Sequence, residues 1–238
     1  MTREAFSNGF DTLVSSYRRF KDFDNREILD SVEFDEYEKS FYLTKSQEEI
    51  VISLYNGKNP FGESFESTEE MRRYLAPLVA EKRLEPTQNS TGVLGMGSTS
   101  KFFTLPDDLL FITYESVKVS DGKCGEGSEL DVYPVTQDEY HKVKRNPFRG
   151  ANDRRALRLD LADGVIEVVS KYGVTSYYVR YLRKPQPIIL EDLPNDLEIN
   201  GINTASDCEL NDALHQRILE RAVMMALQSK GSTKKDTN

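Results

Sequence analysis

Asp107 and Asp108, in the run LPDDLL, are adjacent carboxylates that could hold a divalent ion or act as an acid–base pair. Neighbouring residues at the mouth of a strand point in different directions, however, and Pro-Asp-Asp is also ordinary turn chemistry. The segment Gly92-Val93-Leu94-Gly95-Met96-Gly97 has the G-x-x-x-x-G frame of a phosphate-binding loop. Ser98 stands where that motif needs its lysine, no clear strand precedes it, and Ser100 replaces the third glycine of a dinucleotide frame. A surface loop is the plainer reading. His141 and His215 are the two histidines, and neither has a Cys or a second His at ligand spacing. His215, beside Leu214 and Leu219, reads as a partly buried structural histidine, and no G-x-S-x-G motif supplies a nucleophile. No catalytic residue, metal ligand or cofactor-binding residue is assigned, and the expectation is a chain that is not an enzyme and uses no cofactor.

The fourth group is harder to dismiss. Residues 141 to 159, HKVKRNPFRGANDRRALRL, hold Lys142, Lys144, Arg145, Arg149, Arg154, Arg155 and Arg158 against Asp153. That window is +6 in a chain of −9, so the remainder carries −15. The cations could track a phosphate backbone, with Phe148 or Tyr140 as a stacking face. Against that, no aromatic interleaves them regularly and no helix-turn-helix or zinc finger is present. A sequence pI near 5.0 repels nucleic acid at long range, so any such contact must be local. Complementarity to a neighbouring acidic protein surface is the plainer electrostatic answer.

These residues need elements to position them. Phe6, Phe10, Leu13, Val14 and Tyr17 form one stripe, which predicts a helix over 3–19. Residues 22–39 are acid-heavy and read as an extended arm, a connector or a short helix. Thr44 with Gln47 makes a capping box for a helix that Asn56-Gly57 stops, and Ser67 with Glu70 starts another, which Pro77 should split near Ala76. From Leu109 the pattern turns to β: LLFITYESVKV, then turn chemistry at Asp121-Gly122, then a strand over 129–135. Thr136 with Glu139 caps a short helix from Gln137 to Lys144. Strands over 156–161, 165–171 and 176–183, joined at Asp163-Gly164 and Gly173, read as an antiparallel meander. A last helix begins at Ser206 with Glu209 as its cap partner.

The fold class that follows is α+β: N-terminal helices, an antiparallel β meander in the second half and a long C-terminal helix. The expected regions are 1–85 mainly helical, 86–100 a flexible loop, 101–190 an antiparallel β region with a short inserted helix, 191–230 a C-terminal helical segment and 231–238 a disordered tail. Together they read as one structural domain with appendages, and no repeat is visible. At 238 residues, with 38% hydrophobic and 30% charged, the chain can bury a core and has much surface to offer partners. No stretch approaches the length of a membrane span, and Cys124 and Cys208 read as free thiols of a reducing compartment.

The stretch YPVTQDEYHKVKRNPFR (133–149), the later YYVRYLRKPQPIIL and the final CELNDALHQRILERAV together resemble the head–tail connector, or ring, proteins of crAss-like tailed bacteriophages. The likeness runs from about Leu43 to Val223 and carries no catalytic motif. It implies a virion structural protein that forms a homo-oligomeric ring, commonly a dodecamer, below the portal. Its partners would be the portal, other connector or tail rings, and genomic DNA passing without sequence-specific contact, and no membrane. In that setting Arg145, Phe148, Arg149, Arg154 and Arg155 become expected subunit-interface residues, with segment 22–39 a possible counterpart. The alternatives are a nucleic-acid-binding accessory protein using residues 142–158 and, more remotely, a hydrolase with a metal at Asp107 and Asp108.

Overall fold

Two compact units make up the chain: Met1–Leu78 with Pro185–Asn238, and Val79–Lys184. The structure, a computed structural model, describes residues 1–22, 33–58, 62, 64, 65, 67–88, 95, 96, 99–120, 127–194 and 196–232. Most of the acid-rich arm, Gly92 to Leu94 and Gly97-Ser98 of the glycine loop, the Asp121-Gly122 turn, Cys124 and the tail from residue 233 lie outside these.

The first unit is helical. Helix α1 (Arg3–Asp22) buries Phe6, Phe10 and Val14 on the expected stripe. At Gly9 a Cβ would stand 2.7 Å from the Leu219 side chain, so the missing side chain lets α1 close on the C-terminal helix. Helix α2 (Glu36–Asn56) starts well before the expected position. Asp35 caps it, accepting from the Glu38 N–H at 2.7 Å while its own N–H donates to the Glu38 carboxylate at 3.3 Å. Gly57, at φ 71°, ends it as expected.

Thr44 and Gln47 cap nothing, because they are committed to another backbone. The Thr44 hydroxyl accepts from the Ile188 N–H at 3.0 Å and donates to the Ile188 carbonyl at 3.3 Å. Ser40 accepts from the Leu190 N–H at 3.0 Å, and the Gln47 amide donates to the Gln186 carbonyl at 2.7 Å. Residues 40, 44 and 47 share one helix face. They form a polar ladder that satisfies the extended segment 186–190 in place of a neighbouring strand. Buried Lys39 is matched by Asp11 at 2.8 Å and Glu36 at 2.9 Å.

Helix α3 (Glu69–Leu75) is capped by Thr68, not Ser67, whose hydroxyl donates instead to the Ser64 carbonyl. A 3-10 turn over Ala76–Leu78 follows at Pro77, the expected break. The C-terminal helix, α5 in chain order, spans Asp212–Ser232 and does not begin at Ser206. Ser206 is bridged to Ile189, and the Glu209 carboxylate accepts from the Gln186 N–H at 2.7 Å, so both expected cap residues hold the 186–190 segment. Leu214, Ile218, Leu219, Ala222, Val223 and Ala226 are buried on α5, and Met225 is half-buried. Cys208 is a free thiol whose pKa burial pushes up to about 11.

The second unit holds β1 (Val79–Leu84), β2 (Lys101–Thr104), β3 (Leu109–Val119), β4 (Glu129–Pro134), α4 (Tyr140–Lys144), β5 (Arg155–Asp160), β6 (Val165–Val169) and β7 (Val174–Arg183). The sheet order is β1-β7-β3-β4-β5-β6-β2. The α+β class stands, but the meander breaks at its second step. Asp163 and Gly164, at φ 57° and 69°, turn β5 into β6 as a hairpin, whereas β7 pairs with β1 and β3. At Gly173 the chain lies against the end of β3, its carbonyl accepting from the Ser120 N–H at 2.8 Å. β2 occupies the edge of β6 that a meander would have given to β7. β4 and β5 run parallel, so the sheet is mixed.

Val79 opens β1; pairing along β7 recruits a segment whose own alternation is weak. Just past β1, the Thr87 N–H donates to the Phe102 carbonyl of β2 at 2.7 Å, bringing the two sheet edges together. The concave side encloses Phe103, Val117, Val119, Leu130, Val132, Ile166, Val168, Tyr177 and Val179.

Two predictions follow from the helical unit. Thr44→Val strands both polar groups of Ile188 and should lower stability by about 1–3 kcal/mol in urea denaturation, whereas Thr44→Ser should keep most of it; equal losses would contradict the ladder. Burial holds the His215 pKa below its ordinary value. The unfolded chain therefore takes up the proton first on acidification, and stability present above about pH 6.5 is lost as pH falls through the folded value. The melting temperature should fall from pH 7 to pH 5, and fall less in His215→Gln.

Candidate functional site

Parallel strands cannot be joined by a tight turn, so β4 and β5 require a crossover, and residues 135–154 supply it. The basic window is largely the second half of that crossover. Tyr140 anchors it, buried against Leu157, Leu159 and Val169 on the convex side of the sheet, with its hydroxyl donating to the Met96 carbonyl at 3.3 Å. Regular helix begins only at Tyr140, later than Thr136 and Glu139 suggest, and Glu139 makes no side-chain cap bond. The Thr136 hydroxyl serves Asp138 instead and holds its carboxyl below the ordinary range.

Two asparagines then fix the loop. The Asn146 side chain accepts from the N–H groups of Phe148 at 2.9 Å and Arg149 at 3.2 Å, and the Asn152 side chain accepts from Arg154 N–H at 2.9 Å. At Gly150 a Cβ would lie 2.9 Å from the Asn146 carbonyl and 3.1 Å from that of Val143, both backbone, so only glycine fits. Phe148 is thereby displayed on an ordered loop at 85% exposure.

The five expected interface residues separate into two kinds. Arg145, Arg149 and Arg154 are exposed and have no carboxylate partner among the described residues, and Phe148 lies among them in sequence. Arg155 is occupied: its guanidinium lies 4.1 Å from the Tyr133 ring centre and donates to the Phe148 carbonyl at 2.9 Å. It holds the loop. Asp153, the one acid in the window, accepts from Lys171 at 2.7 Å and from Tyr172 at 2.6 Å.

Arg158 leaves the basic surface altogether. Like Ala156, two residues earlier, it faces the concave side, and one of its nitrogens donates to both Glu115 oxygens at 2.9 and 2.8 Å. The Tyr177 hydroxyl donates to the same carboxylate at 2.6 Å, and Asp160 lies 3.0 Å from Arg158 Nε. Burial pushes the Glu115 carboxyl above its ordinary value against the opposing pull of Arg158 and Tyr177. Burial works most strongly against the Arg158 charge, but Glu115, Tyr177 and Asp160 together outweigh it and hold the guanidinium protonated. Tyr177 is raised by burial and then by Glu115, so its phenol stays a donor. Neither Glu115 nor Tyr177 stands out in the sequence. The available signal is Arg158 itself, an arginine at an inward position of an alternating strand.

The remaining candidates are dispersed. Asp108 accepts from the Tyr181 hydroxyl at 3.1 Å and Asp107 is exposed beside it in a turn closed from Leu109 N–H to the Pro106 carbonyl. His141 is exposed and His215 buried in the other unit. Of the glycine loop, Met96 packs beside Tyr140, and its N–H donates to the buried Glu167 at 2.5 Å. Among the described residues no cluster of three His, Cys, Asp or Glu could hold a metal, and no helix is long and apolar enough to cross a membrane.

The family model described as phage tail ring protein 3/4 matches residues 1–238. The chain belongs to that family. It is 46% identical over 233 residues to "Ring protein 3" of Bacteroides phage crAss001, covering 97% of this chain and 96% of that protein. It is 30% identical over 238 residues to "Ring protein 4/5" of the same phage, covering 95% and 92%. This tail ring protein is therefore a structural protein of a crAss-like phage, with a likeness spanning both units and wider than the 43–223 stretch that the sequence suggested.

The ring protein's buried pair makes its own prediction. Arg158→Met should destabilise the β unit by about 3–5 kcal/mol, because it leaves a buried carboxylate without a partner. Adding Glu115→Gln, which can still accept from Tyr177, should recover much of the loss. A double variant no better than the single one would contradict the pairing.

Proposed function

We propose that this chain is a non-enzymatic ring component of the head–tail connector, assembled below the portal as a closed homo-oligomer, most simply of twelve copies. It joins capsid and tail, resides in the virion and surrounds the channel through which the genome passes. The observation that carries this reading is the family match over residues 1–238. Two physical features support it. A chain of −9 repels the phosphates of passing DNA and limits adhesion. The crossover presents an 85% exposed phenylalanine together with Arg145, Arg149 and Arg154, which have no carboxylate partner among the described residues, the composition that marks protein interfaces.

In this reading Arg145, Phe148, Arg149 and Arg154 touch the neighbouring subunit, and Arg155 positions them. The portal and adjoining rings cover the upper and lower surfaces. A nucleic-acid grip on residues 142–158 is disfavoured, since Arg155 and Arg158 are both engaged within the chain.

Imaging of intact particles with the chain tagged at its C-terminus tests the proposal. The tag should lie on the particle axis between portal and tail with closed rotational symmetry. A tag spread over the capsid shell, or no tag in the particle, would overturn it.

A further inference from the structure

We infer that the Phe148 loop and the groove beside it form one docking surface, and that it receives an acidic run, Glu191, Asp192, Asp196 and Glu198, from a second copy of this chain. The inference rests on the ring reading and names the two faces that meet.

The groove arises where the sheet opens. β3 and β4 pair only from Ser116↔Asp131 to Lys118↔Glu129. A bulge in β3 between Ile112 and Tyr114 accompanies the opening. Beyond it, Ile112 to Glu115 and Asp131 to Tyr133 line a groove of about 330 Å³. Tyr114 and Tyr133 stand on these strands at 45% and 44% exposure. Arg155 joins groove to loop, stacking on Tyr133 while it holds the Phe148 carbonyl. Three exposed aromatics and several arginines on a preordered frame are the residue types that dominate binding hot spots.

Charge complementarity selects the occupant. The loop offers Arg145, Arg149 and Arg154 without carboxylate partners among the described residues. The first unit carries four acids between residues 191 and 198 with no Lys or Arg among them. Glu191, Asp196 and Glu198 are exposed and have no ion-pair or hydrogen-bond partner among the described residues, while Asp192 accepts from the Ala205 N–H at 2.7 Å. Ile189, Leu193 and Ile199, buried around them, hold the run in place. One face lies in each unit, so the contact between copies is head-to-tail, the kind that closes rings.

The test uses two full-length variants produced with the phage in place of the native chain. One carries Arg149→Glu with Arg154→Glu, the other Glu191→Arg, Asp196→Arg and Glu198→Arg. Each alone should lose tailed particles, and the two produced together should restore them, because each reversed face then meets an opposite one on its neighbour. Assembly of either variant alone, or no rescue on mixing, would overturn the inference; the latter would point to another virion protein as the occupant. A second variant guards against misfolding: Arg149→Cys with Asp196→Cys should give covalent multimers in oxidised particles, and single chains only would overturn it. Normal axial rings from both reversed variants would sink this contact alone, whereas absence of the chain from the axis would sink the ring reading.

Discussion

The ion pair between Glu115 and Arg158, closed by the Tyr177 hydroxyl, sits on the concave side of the sheet and fixes strands that are not all neighbours. β4 lies between β3 and β5, so the pair reaches across it. Leaving either charge alone in that interior costs several kcal/mol. A one-residue slip of β5 would turn Arg158 outward and drive Leu157 and Leu159 into the space that it fills. The pair therefore sets the register of β5, and with it the end of the crossover from β4.

That register decides what the basic stretch can do. Parallel pairing requires the crossover, Tyr140 ties it down on the convex side, and Asn146, Asn152 and Gly150 shape its tip. Exposed ion pairs contribute about 0–1 kcal/mol each, while a buried aromatic anchor at an interface is worth about 2 kcal/mol or more. Phe148 is accordingly the main anchor in the proposed contact, and the arginines supply steering and choice of neighbour. The helical unit uses a different device, a side-chain ladder on α2 that stands in for a strand.

Much of this was legible in the sequence. The stripe of α1, the span of β3, the Asp163-Gly164 hairpin, the Pro77 break and the Gly57 stop all rest on local chemistry, and local chemistry is what a sequence displays. The failures are non-local. Thr44, Gln47, Ser206 and Glu209 look like caps because their hydrogen-bonding groups suit caps, yet each is spent on a segment distant in the chain. β1 owes its strand to β7, and β7, ten residues long, pairs along the eleven-residue β3 and not along β6. The basic window announced itself by charge, but its division into exposed Arg149 and Arg154, positioning Arg155 and buried Arg158 required the pairing of β4 with β5.

Hydroxyl-radical footprinting of the free chain against assembled particles tests the central claim most directly, because it reads side-chain exposure residue by residue. Phe148, 85% exposed in the single chain, should be among the side chains that lose most reactivity on assembly. A Phe148 equally reactive in both states would contradict the assignment of this loop to a protein contact.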